Sequence, residues 1–126
     1  MSSKEYILAR QAADHIQSIL SKTVLRPQIG VICGSGLNGL VSTFNAEPQI
    51  SVPYAAIPSF PVSTVPGHES RLVFGTLGKS GTPIVAMVGR AHFYEGHDMA
   101  LVSLPVRALH LLGVKVLIGL YPPLKG

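Results

Sequence analysis

The chain has 126 residues, of which 47% are apolar and 13% charged, and its formal charge is +4. That balance excludes general disorder, which needs low hydrophobicity and high charge, and the length suits one domain. The 13 Gly and 10 Pro follow no collagen-like period, so they point to a compact α/β domain with many tight turns.

Residues 1–63 hold four basic and three acidic side chains, and residues 64–126 hold six and three. The basic excess lies in the second half but forms no run. Aromatics are only 6%. A nucleic-acid groove wants clustered Lys/Arg with stacking aromatics, so scattered arginines fit a small anion better. The single cysteine, Cys33, gives no internal disulfide and suits a reducing compartment. Met1 to Arg10 lacks the apolar centre of a signal peptide. The uncharged stretch 27–46 is broken by Pro27 and four glycines, unlike a membrane span. A cytoplasmic protein without membrane or nucleic-acid partners is expected.

In chain order, Ile7, Leu8, Ala12, Ile16, Ile19 and Leu20 recur at helical spacing and predict a helix over 3–21. Ser2 and Glu5 have capping-box spacing at its start. Ile29 to Cys33 is a short β-branched run that reads as a buried strand. The loop Gly34-Ser35-Gly36-Leu37-Asn38-Gly39 follows and opens a short helix through Leu40 and Val41. Prolines 48, 53, 58, 61 and 66 make 45–67 irregular. Arg71–Leu77 and Thr82–Val88, joined by residues 78–81, predict a hairpin. Residues 89–97 form a polar loop. Asp98 suits the N-cap of a helix ending at Leu112, with Gly113 as its stop. Pro105 predicts a kink or a late start in that helix. Val114–Gly119 reads as a last buried strand. The expected fold is α/β, a mixed central sheet flanked by helices. Ligands in such sheets gather beyond the carboxyl ends of strands.

The glycine loop matches G-x-G-x-x-G, but no acid stands about 20 residues on to hold a ribose. A dinucleotide site is therefore disfavoured. A phosphate site uses the same backbone N–H groups with the Ser35 hydroxyl; a plain strand-to-helix turn is the other reading. The second polar loop puts Arg90, His92, Tyr94, Glu95 and His97 directly after a strand. Arg90 offers a planar fork of donors for phosphate. His92, Glu95 and His97 are metal-ligand types, but their spacing fits no zinc motif. Cys33 within an apolar strand reads as inert core. His68, in the loop before the hairpin, reads by itself as either a surface or a ligand histidine.

Five ordered segments carry a resemblance: 31–40, 63–68, 71–75, 89–96 and 104–113. Together they resemble the trimeric purine nucleoside phosphorylases, the inosine/guanosine-cleaving type, over residues 3–119. The resemblance implies a phosphorylase-like α/β fold, with residues 1–126 as the N-terminal portion of a single domain. It implies phosphorolysis of inosine and guanosine to free base and ribose 1-phosphate, in purine salvage. Inorganic phosphate is then a co-substrate, with no cofactor and no metal. Ser35, His68, Arg90, Ala91 and His92 would hold phosphate, and Tyr94 would face the ribose. His92, Arg90 and His68 would be catalytic. A homotrimer is implied. Residues 121–126 diverge from the family's turn, and family chains are more than twice as long. The purine-recognising groups would lie in that further part. The alternative expectation is a catalytically inactive truncated isoform that binds phosphate or associates with full-length subunits, with an open sheet edge at 114–119.

Overall fold

The computed structural model describes residues 3–33, 38–62, 70–89 and 99–120. Helix α1 spans Ser3–Leu20, and strand β1 spans Ile29–Cys33. A 3-10 segment, Asn38–Thr43, leads to β2 at Ile50–Pro53. The hairpin strands are β3, Arg71–Leu77, and β4, Thr82–Val88. Helix α2 spans Met99–Leu111, and β5 spans Val116–Leu120. The five strands form one sheet in the order β2-β3-β4-β1-β5. Strand β1 runs parallel to both β4 and β5, while β3 is antiparallel to β4 and to β2. The expected mixed sheet is therefore present.

Strand alternation divides the core into two faces. Ile32, Val52, Leu72, Phe74, Val85 and Met87 join one cluster with Ala12, Ala13, Ile16 and Leu20 of α1 and Ala108 and Leu109 of α2. Both helices thus cover the same face. Val31, Cys33, Val73, Ile84, Ala86 and Val88 form the other cluster, beneath Phe44 from the end of the 3-10 segment.

The expected α1 stripe holds at Ala12, Ile16 and Leu20, which are buried, and departs at its start. Ile7 is 53% exposed, while Ala9 and Ala13 are fully covered. Alanines at this seam allow α2 to lie close, and Arg107 donates to Glu5 at 2.8 Å across it. Ser2 and Asp98, the expected caps, lie outside the described residues. Helix α2 runs through Pro105 without the late start. It ends in a Schellman motif: Gly113 N–H donates to His110 O at 3.0 Å, and Val114 N–H to Leu109 O at 3.1 Å. Gly113 has φ +108°, a backbone suited to glycine.

Two boundaries need correction. Val114 serves the helix cap, and Lys115 and Val116 donate to Gln28 O, so β5 begins at Val116 instead of Val114. The stretch 45–67, expected to be irregular, contains β2. An edge strand tolerates Pro53 because a proline's missing donor there costs no ladder bond. The short helix after the glycine loop is 3-10 in form. Among the described residues β5 is the other sheet edge, with Val116 52% and Ile118 46% exposed. No described helix is long and apolar enough to cross a membrane.

Candidate functional site

The strand register defines one end of the sheet. Cys33, the last residue of β1, pairs with Val88, the last of β4. Val88 pairs in turn with Arg71, the first of β3. Arg71 pairs with Pro53 and Cys33 with Leu120. The row Pro53–Arg71–Val88–Cys33–Leu120 therefore crosses all five strands. Parallel β1 and β4 finish here, and antiparallel β3 starts here.

Three chain segments leave from this row. Residues 34–37 follow Cys33, residues 63–69 lead into Ser70 and Arg71, and residues 90–98 follow Gly89. Neighbouring strands lie about 4.8 Å apart. The attachment points at Cys33, Val88 and Arg71 thus fall within about 10 Å of one another. The sequence-predicted residues Ser35, His68, Arg90, Ala91, His92 and Tyr94 lie outside the described residues, as do Glu95 and His97. The described structure brings the attachment points of these segments to a common end of the sheet.

The row Pro53–Arg71–Val88–Cys33–Leu120 carries one charged side chain, Arg71. Cys33 is fully covered, and burial pushes its thiol above its ordinary value, so it stays neutral. Arg71 is exposed and adds a positive charge at the start of β3. The row is held firmly on the β2 side. Tyr54 N–H donates to Ser70 O at 2.9 Å, extending the β2–β3 ladder by one bond. The Tyr54 ring packs edge-on against Phe60, with centroids 4.9 Å apart and planes at 84°.

Ser70 was not singled out by sequence reasoning. It is 3% exposed, and its Oγ is buried without a hydrogen-bond partner among the described residues. No local signal marks it, since Leu72, Val73 and Phe74 are all buried and both faces of β3 are covered. The grooves among the described residues lie elsewhere. One is lined by Val106, Leu109, His110, Val114 and Lys115 near the start of β5. Another is lined by Arg26, Gln28, Ile29, Thr82 and Pro83 at the opposite end of the sheet.

Comparison with known proteins matches residues 28–120 to the model of the phosphorylase superfamily. A purine nucleoside phosphorylase of Bos taurus is 50% identical over 105 residues, covering 83% of this chain and 35% of the bovine protein. Among solved structures, isoform 2 of the Schistosoma mansoni purine nucleoside phosphorylase, in complex with cytosine and ribose-1-phosphate, superposes with a TM-score of 0.73. It is 44% identical, over 90% of this chain and 38% of that one. The Schistosoma mansoni enzyme in complex with inosine gives a TM-score of 0.71 at 43% identity, over 90% and 37% of the two chains. The chain thus spans little more than a third of the length of these relatives.

Proposed function

The chain belongs to the phosphorylase superfamily, and from that premise we propose that it serves purine nucleoside phosphorolysis by supplying the phosphate-holding part of the site. The observation that carries this reading is the shared row Arg71–Val88–Cys33. The segments bearing His68, Arg90 with His92, and Ser35 all leave the sheet from it. Relatives that bind ribose-1-phosphate and inosine support the same substrate class.

The chemistry follows from those residue types. Arg90, Ser35, His68, His92 and the Ala91 backbone hold the phosphate dianion. Tyr94 is assigned to the ribose. A phosphate oxygen forms a bond to the anomeric carbon as the glycosidic C–N bond breaks. The bonding pair leaves with the purine, which takes up a proton. Positive charge builds on the ribosyl group between these events. A fixed dianion on one face then supplies both the nucleophile and charge stabilisation. His92 steadies the attacking phosphate. Phosphate is a co-substrate, and the reaction needs no cofactor or metal. The reading extends to a cytoplasmic homotrimer acting in purine salvage on inosine and guanosine.

The test is calorimetric titration of the 126-residue chain with inorganic phosphate at fixed ionic strength. Arg90→Ala is expected to cost about 1.5–3 kcal/mol of phosphate affinity, as for a hydrogen bond to a charged group. Equal affinities remove Arg90 from the site. No phosphate binding by wild type overturns the reading as a whole.

A further inference from the structure

We propose that Ser70 is an additional phosphate-binding residue, its hydroxyl donating to the anion held at this end of the sheet. The proposal rests on the phosphorolysis reading above and adds a residue to its site.

Three observations lead to it. First, Ser70 is 3% exposed, and its Oγ is the buried side-chain oxygen that lacks a hydrogen-bond partner among the described residues. Buried hydroxyls are nearly always paired, because an unpaired one forfeits its hydration without return. An orphan of this kind calls for an occupant. Second, the rest of Ser70 is fixed. Its carbonyl accepts from Tyr54 N–H at 2.9 Å, and the next residue, Arg71, pairs with Pro53 and Val88. The hydroxyl is therefore preorganised, and binding a ligand costs it little further entropy. Third, its place is next to the candidate site. Carrying the Arg71↔Val88 pairing one step further sets Ser70 opposite Gly89, the residue before Arg90. Glycine puts no side chain beside the hydroxyl there. Arg71 brings a positive charge to the same strand end, from the opposite face. An anion is the occupant that this combination suits: a hydroxyl gives it a donor, and the burial strengthens the bond.

The experiment compares wild type, Ser70→Ala and Ser70→Thr in the 126-residue chain. Each is titrated with inorganic phosphate, with sulfate as a second probe, and each is melted without ligand. Ser70→Ala is expected to bind phosphate about tenfold more weakly. Its ligand-free unfolding midpoint should stay level or rise, because the variant removes an oxygen with no partner. Ser70→Thr keeps the hydroxyl and should stay within about threefold of wild-type affinity. Unchanged affinity in Ser70→Ala overturns the role of Ser70 while leaving the phosphate reading intact. So does a fall in midpoint that parallels the fall in affinity, or equal weakening in Ser70→Thr, since either marks a packing role. Absence of phosphate binding in wild type overturns both readings together.

Discussion

Phe44 and Gly75 offer a direct test of how the sheet's second face is built. A Cβ placed on Gly75 would stand 2.7 Å from Phe44 Cδ2, 3.4 Å from Cγ and 3.5 Å from Cβ. The first distance is well inside van der Waals contact, so the ring must move. It has little room to do so, because Phe44 is 6% exposed and packs among Val31, Cys33, Val73 and Ala86. Its backbone is also tied down. Phe44 N–H donates to Val41 O at 3.1 Å and Asn45 N–H to Thr76 O at 2.8 Å. Asn45 Nδ2 adds bonds to Thr76 Oγ1 and Gly78 O, each 3.0 Å. Overpacking of a core costs about 1–3 kcal/mol, and the stiffer unfolded chain of alanine returns about 0.4–1 kcal/mol. Gly75→Ala should therefore destabilise by about 1–2 kcal/mol. In a Phe44→Leu background the shorter side chain leaves space, and the same substitution should cost close to nothing. Urea unfolding followed by circular dichroism on the four proteins gives the cycle. Equal costs in both backgrounds, or a Gly75→Ala chain as stable as wild type, would refute the reasoning.

Other expectations follow from single contacts. Gly113→Ala forces a side chain into φ +108° and should lower stability by about 1–3 kcal/mol, read from the same urea transition. Leu109→Ala empties a position 1% exposed between α2 and the sheet and should cost about 2–5 kcal/mol. Arg107→Ala breaks the pair with Glu5, whose side chains are 34% and 58% exposed, and should cost no more than about 1 kcal/mol by thermal melting. Burial raises the Cys33 thiol in the folded chain, so folding favours the neutral form. That stabilisation is complete below the unfolded thiol value of about 8.5 and fades as pH climbs toward the raised folded value. The melting temperature should fall above about pH 8.5, and Cys33→Ala should lessen the fall; parallel curves for the two proteins would exclude Cys33 as a cause.

The elements with strong local signals were legible in the sequence. Ile29–Cys33 and the hairpin runs on either side of residues 78–81 are apolar and β-branched, with glycines at φ +73° and +68° closing the turn. Gly113 marked the end of α2 by its own chemistry. The loops bearing Ser35, His68, Arg90 and His92 stood out because polar groups crowd directly beside apolar strands. Propensity was misleading where tertiary pairing decided the outcome. Ile50–Pro53 is four residues ending in proline, and it is a strand because β3 offers it an edge. Ile7 belongs to an apolar stripe on paper, yet α2 packs against the alanine side of α1, leaving Ile7 53% exposed. Strand order is likewise a tertiary property. Nothing local in residues 29–33 says that β1 lies between β4 and β5, and that placement is what aligns Cys33, Val88 and Arg71 in one row. Ser70 shows the division most clearly. In the sequence it is one serine in a polar loop. Only the packed sheet, by covering its hydroxyl and occupying its carbonyl, makes it a donor without a partner among the described residues.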